Sequence, residues 1–277
     1  SRFAVAAARS ALAAAGIAAS DPAPTACVLA NAYGPTSFTE KLLRQILLDG
    51  PEAASPSLFT ECVANAPAAQ VAIALGARGP NVTITEREAG PLIAFAHGAA
   101  LIAGGRAERA LVGAAEEMSP LLHAVLDRFR LLARPGADGA EIARPLDRRR
   151  AGLIAAEGAT VLVLESEQSA KRRGATELAV VTGAGRAFDP TSGPARWGTG
   201  ATRLAAALRR ALARAGTSPP DVDAIVCSAA GTRDGDALEA HTLRAAWGDV
   251  PLPVLLAPKS VTGEYGGAQL AAAVPAP

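Results

Sequence analysis

Aromatic residues make up only 4% of this 277-residue chain, which has 3 cysteines, 3 histidines and a single methionine. Cys27, Cys62 and Cys227 lie far apart without metal-ligand spacing, and each sits in an apolar run where a free thiol behaves as a small hydrophobe. That spacing excludes a cysteine-built metal site and points to a reduced, cytoplasmic setting. No metal and no cofactor is expected. Net charge is scarce too: at +1 and a pI near 7.8, nothing draws the chain electrostatically to nucleic acid or an anionic membrane. The densest basic cluster, Arg144 with Arg148, Arg149 and Arg150, reads as a solvated loop or local ion-pair site rather than a polyanion groove. No apolar run reaches the roughly 18 residues of a membrane span without Gly, Pro or charge. The opening "SRFAVAAARSALAAAGI" has the period of an amphipathic helix rather than of a signal peptide.

What is present is an alanine-dominated chain, 50% apolar, with an internal repeat. Residues 5–34, "VAAARSALAAAGIAASDPAPTACVLANAYG", lie beside residues 205–231, "AAALRRALARAGTSPPDVDAIVCSAAG". Each is an alanine-rich helix closed by Ala-Gly, a Pro/Asp turn, and a buried strand running into a glycine turn. The predicted elements are helix 2–15, strand 25–31, helices 37–48 and 60–75, strand 81–85, helix 90–104, strand 109–114 and helix 119–132. They continue with strands 159–166 and 177–184, helix 199–215, strand 223–228, helix 236–246, strand 252–257 and a helix from about 266. This alternation argues for parallel sheets covered on both faces, in two related halves, 1–168 and 169–277, of one integrated domain. The loop 134–152 is too long for an idle connection and is expected to be functional. The second copy is preceded by a Val-rich strand that the first lacks, and the last helix is followed by no strands. The expectation is therefore a fragment with terminal strands missing.

Residues 82–95, "VTITEREAGPLIAF", read as a short β-branched strand, a charged turn and an apolar helix. Enzymes often place a nucleophile on such a turn, yet here it holds Glu86, Arg87 and Glu88.

The segments "VANAPAAQVAIALGARGPNVTIT", "RALVGAAEEMSP", "ARPLDRRRAGLIAAEGATVLVLE", "VDAIVCSAAGT" and "PKSVTG" follow, in order and spacing, the signature segments of the β-ketoacyl synthases. The chain resembles that family over nearly its whole length. The resemblance implies a thiolase-like α/β fold, a five-layer αβαβα sandwich of two related halves, normally dimeric. It also implies a Cys-His-His catalytic set. Counted from Gly79-Pro80, the cysteine position is Glu88. The Asn-Ala-His-Gly-Thr turn is here "SAAGT", so Ala230 stands at the first histidine. The histidine after Lys-Ser-x-Thr-Gly is Glu264, and Lys259 is retained. Condensation needs a thiolate to hold the acyl chain and imidazoles to support decarboxylation and the enolate oxygen. A carboxylate forms no stable thioester, Ala230 offers no donor, and His97, His123 and His241 fall on helices away from these turns.

Among silent members, the chain most resembles the chain-length factor, the ketosynthase β subunit of bacterial type II polyketide synthases. Arg87-Glu88-Ala89-Gly90-Pro91-Leu92 stands where those proteins carry Glu-Gln-Ala-Gly-Gly-Leu. Two departures are glutamate for glutamine at residue 88 and Glu264 where arginine is common; a carboxylate lacks the amide's N–H donors. The resemblance implies a heterodimer with an active ketosynthase, served by an acyl carrier protein, with Thr36, Thr39, Leu43 and Tyr33 at the tunnel's chain-length gate. Two threonines and a leucine in place of bulky aromatics leave room for a long acyl chain. Leu58, Phe59, Cys62, Asn65, Val82 and Ile84 are the interface it implies, and the small residues of helix 60–75 suit equally a packed core helix kinked at Pro67. The alternative is an enzyme, a malonyl-carrier-protein decarboxylase or other acyl-processing activity using Glu88 or Lys259. A further alternative is a homodimer with no partner. As a structural group, Glu88 would pair with Arg87 or Arg78 at the helix start. Arg144, Asp147 and Glu157 read as loop-ordering residues.

Overall fold

The computed structural model describes residues 1–18, 21, 23–136, 139–193 and 196–273. Parts of the 134–152 loop, of the first repeat's Pro/Asp turn and of the helix expected from 266 therefore lie outside the described residues. The chain forms two compact units that interleave in sequence: Ser1–Val125 with Ala156–Ala179 and the segment from Tyr265, and Leu126–Ala155 with Val180–Glu264.

The first unit contains α1 (Arg2–Ala14), β1 (Thr25–Asn31), α2 (Thr36–Asp49), α3 (Pro56–Cys62), α4 (Ala66–Leu75), β2 (Asn81–Thr85), α5 (Gly90–Ala103) and β3 (Arg109–Glu116). After α6 (Pro120–Arg128), which leads into the second unit, the first unit resumes with β4 (Gly158–Glu165) and α7 (Glu167–Arg172). Its sheet has the order β2-β1-β3-β4. β1 runs parallel to β2 and β3, whereas β4 is antiparallel to β3, so the sheet is mixed rather than purely parallel. A strand side chain alternates faces with period two, and here both faces are covered. Cys27, Leu29 and Leu111 pack with Ala4, Ala8 and Leu12 of α1 and Ala68 and Val71 of α4. Val28, Ala30, Val112 and Ala114 pack on the opposite face with Ala94 of α5. The approach of α5 is close: a Cβ on Gly98 would stand 2.3 Å from a Val112 methyl. Buried on both faces, β1 and β3 read as unbroken apolar runs instead of alternating ones.

The second unit holds α8 (Ala201–Arg214), β5 (Ala224–Val226), α9 (Arg233–Trp247), β6 (Val254–Leu256) and α10 (Lys259–Thr262), with β5 parallel to β6. Ala205, Cys227, Leu243 and Trp247 form its core. The repeat is visible as α1–β1 and α8–β5. In both copies the helix is followed by a left-handed glycine, Gly16 at φ 66° and Gly216 at φ 70°, a conformation open to a residue without Cβ. Both copies also bury a cysteine, Cys27 and Cys227, whose thiols burial pushes up to about 12.

Three further expectations are corrected. Helix 60–75 is two helices, α3 and α4, meeting at 96°. The break is at Val63–Asn65, where the Ala64 carbonyl accepts from Asn31 Nδ2 at 2.7 Å, and Pro67 lies in the first turn of α4, where a missing N–H costs nothing. Residues 177–184 form no strand: a strand exists only by pairing, and among the described residues none offers this segment a ladder. The chain's last described segment, Ala268–Ala273, is 3₁₀ rather than α-helical. No single helix among the described residues is long and apolar enough to cross a membrane.

Candidate functional site

In the first unit, β2 ends at Thr85 and α5 begins at Gly90, so residues 86–89 form the expected charged turn. A Cβ on Gly90 would sit 3.2 Å from that of Ala30, which sets the start of α5 close against β1. Glu88 is half-buried and its carboxylate accepts from Arg87 Nη2 at 2.9 Å. Its backbone carbonyl accepts from the buried Gln269 side chain at 2.8 Å. The Glu88 carboxylate, at the position expected for a nucleophile, is thus an ion-paired group in a turn held by two neighbours.

Ala230, Lys259 and Glu264 belong to the second unit. Ala230 is buried in the turn after β5, and its N–H donates to Asp236 Oδ1 at 3.1 Å. Asp236, also buried, accepts in addition from Gly231 at 3.2 Å and from Leu146 at 2.8 Å. Leu146 holds a positive φ of 62°, a strained conformation for a leucine, and this hydrogen bond helps fix it. Gly231 has no room for a side chain, since a Cβ would meet the Gly152 carbonyl oxygen at 2.5 Å. The turn keeps a rigid backbone but presents a methyl group. Lys259 is wholly buried and ion-paired with Glu264, and its Nζ lies 3.4 Å from Ser228 Oγ. Glu239 accepts from the Ser228 N–H at 2.8 Å. Burial pushes the Glu239 carboxyl up, the Ser228 N–H and the charge of Lys259 oppose that rise, and Asp236 adds to it. Glu264 therefore gives Lys259 a local counter-charge, while its own N–H donates to the Ile154 carbonyl.

The segment between β1 and α2 is gripped by the end of β3. Buried Glu116 accepts the N–H groups of Ala32 at 2.6 Å, Tyr33 at 3.2 Å and Gly34 at 2.9 Å. Burial pushes its carboxyl up to about 7, against those three donors, with Glu117 adding to the rise. Glu117 accepts from the Ser37 N–H at 2.7 Å. Thr36 opens α2, the Thr39 hydroxyl donates to the Pro35 carbonyl at 3.1 Å, and Leu43 is exposed. Positions 36, 39 and 43 share one helix face, with Tyr33 exposed just before it. Of the expected interface residues, Leu58, Phe59 and Cys62 lie on α3, where the Cys62 thiol donates to the Leu58 carbonyl. Asn65 precedes α4, and Val82 and Ile84 sit on the edge strand β2, packed against the core. His97, His123 and His241 lie on α5, α6 and α9, and among the described residues no cluster is arranged to hold a metal. Arg144 and Asp147 share a backbone bond within the second unit's loop, and Glu157 accepts from the Met118 N–H in the first unit.

Sequence reading missed Glu116, Glu117, Asp236, Glu239 and Gln269. A pair of acids closing a wholly apolar strand, "VGAAEE", was the available signal for the first two. Acids at positions 236 and 239, one helical turn apart just after a glycine turn, were the signal for the next two.

The model of the β-ketoacyl synthase N-terminal domain matches residues 1–170, and that of the C-terminal domain matches residues 178–275. The chain belongs to the β-ketoacyl synthase family. Among its relatives is the actinorhodin polyketide putative β-ketoacyl synthase 2 of Streptomyces coelicolor, 31% identical over 87% of this chain and 58% of that protein. Another is the 3-oxoacyl-[acyl-carrier-protein] synthase 2 of Vibrio cholerae, 30% identical over 87% of this chain and 58% of that protein. The solved ishigamide ketosynthase/chain length factor superposes with a TM-score of 0.84 at 31% identity, over 98% of this chain and 66% of that one. The fold is thus α/β and thiolase-like. The chain spans about 58% of the length of both curated relatives. A putative synthase 2 and a named synthase are matched at nearly equal identity, so the residues at the site, not the likeness, have to decide what chemistry is possible.

Proposed function

We propose that this chain is a catalytically silent ketosynthase-like subunit, a chain-length factor. In this reading it pairs with an active ketosynthase and shapes the tunnel that receives a growing acyl chain from an acyl carrier protein. The observation that carries the reading is the joint state of the catalytic positions. Glu88 cannot form a stable thioester, Ala230 has no donor, and Glu264 neutralises the retained Lys259. A condensing site needs a nucleophile and preorganised donors where charge develops, and the three substitutions remove both. The likeness to a ketosynthase/chain length factor supports the pairing, and the exposed α2 and α3 give it a surface.

The gate face is tested by enlarging it. With the full-length protein co-expressed with its ketosynthase, Thr36→Phe is expected to shorten the product, read by mass spectrometry. An unchanged product length would sink the gate assignment. The alternative reading, a malonyl-carrier-protein decarboxylase, has its motive in Glu88 and Lys259, the only ionisable side chains left at the replaced and retained catalytic positions besides Glu264. Turnover of malonyl carrier protein by the isolated chain, abolished by Glu88→Ala, would overturn the silent reading; the expected result is no turnover.

A further inference from the structure

We propose that Glu116 and Glu117 are positioning residues for the chain-length gate, fixing where Tyr33, Thr36 and Thr39 stand and hence the depth of the acyl cavity. The proposal rests on the gate reading given above. Its basis is how α2 is held. Every residue of α2 is exposed or half-buried, so the helix lacks the buried apolar stripe that ordinarily locates a helix on its domain. Its start is located by polar contacts instead. Glu116 takes three successive N–H groups of the turn leading into it, and Glu117 takes the N–H of Ser37, in its first turn. The Ser37 N–H is one that helix geometry leaves without a partner inside the helix, and the other three belong to the turn that precedes it. The grip closes on a rigid base, because Glu116 ends β3 and Glu117 follows it directly, and the register of β3 against β1 is fixed from Thr25↔Arg109 to Ala30↔Ala114. Sheet and gate are thereby coupled: β3 delivers the carboxylates, and the carboxylates set the first turn of the helix that carries the gate face. Charge-assisted bonds of this kind are about twice as strong as neutral ones, which suits a segment with little apolar packing of its own.

The experiment uses the full-length protein in complex with its ketosynthase. Hydrogen exchange over residues 32–37 and product length are measured for the parent, Glu117→Ala, Glu117→Gln and Thr36→Phe. Glu117→Ala is expected to speed exchange of the segment about tenfold, the size of one lost charge-assisted hydrogen bond, and to shift or broaden product length. Glu117→Gln keeps a carbonyl acceptor and is expected to restore the parental length, a rescue that general destabilisation would not give. If Thr36→Phe shortens the product while Glu117→Ala leaves length unchanged, the positioning role is overturned and the gate stands. If Thr36→Phe leaves length unchanged, the gate reading itself has failed. Glu116→Gln, which tests the three-donor grip, is read by the same two measurements, and Glu117→Ala carries the test should that buried variant not fold.

Discussion

Burying an ammonium group without a counter-charge costs several kcal/mol, and the wholly buried Lys259 is ion-paired with Glu264, whose side chain is 18% exposed. This pair gives Glu264 a structural reason to exist at the position that the proposed reading assigns to a lost histidine. Breaking one partner of a buried pair costs about 3–5 kcal/mol, whereas replacing both by apolar groups of similar size is often nearly neutral. Glu264→Leu is therefore expected to lower stability by about 3 kcal/mol, and Lys259→Met with Glu264→Leu to recover most of the loss in urea unfolding. If the double variant is as unstable as the single one, the pair is not what holds this part of the second unit. Glu88, Ala230 and Glu264 could be singled out in the sequence because each is one residue in a turn with a recognisable neighbourhood. The grip of Glu116 was not, since its donors lie 82 to 84 residues away in sequence and nothing local announces them.

At the scale of elements, periodicity served where a helix or strand packs against its own unit and failed where pairing decides. α1, β1, β2, β3 and α5 have their expected places because both faces of the first sheet are covered. Residues 177–184 have the composition of a buried strand, yet composition cannot supply a ladder. Leu178 and Val180 there are 75% and 65% exposed. Helix 60–75 broke because Asn31 captures the Ala64 carbonyl, a contact between distant segments. A similar long-range link closes the other end of the first sheet. Glu165, ending β4, accepts from Arg109 of β3 at 2.9 Å and from Arg173, whose Nη1 also donates to the Ala15 carbonyl after α1. Burial pushes the Glu165 carboxyl up, but Arg173, Arg109 and Ser169 overcome this and hold it below its ordinary range. A depressed native pKa means the native state binds fewer protons, so this contribution is present above the unfolded value near 4.5 and fades as pH falls. Melting temperature is therefore expected to drop between about pH 5 and pH 3 in the parent. Glu165→Gln is expected to be less stable at pH 7 and to show a shallower drop. Equal slopes in the two proteins would remove Glu165 from the account.

For the molecule as a whole, the surface of the first unit bears on what kind of subunit this is. Leu47 and Leu48 of α2 are 78% and 73% exposed and Phe59 of α3 is 59% exposed, and among the described residues β2 is an edge strand of the first unit's sheet. Single exposed leucines are ordinary, but several on one packed pair of helices suit the surface that, on the proposed reading, the ketosynthase covers. Leu43 and Leu47 continue the helix face of Thr36 and Thr39, so on the proposed reading the gate and the contact surface are one stripe, polar near the start of α2 and apolar towards its end. On that reading the continuity would let an inactive subunit act on another's chemistry, because the face that measures the acyl chain would also be held by the partner. Covering a leucine contributes about 1.5–3 kcal/mol, so Leu47→Glu with Leu48→Glu is expected to weaken binding to the ketosynthase by more than tenfold in a titration. The same change should make the isolated chain more soluble. Unaltered affinity would mean that these leucines face solvent in the complex, and the stripe would then have to meet its partner through Phe59 and the β2 edge.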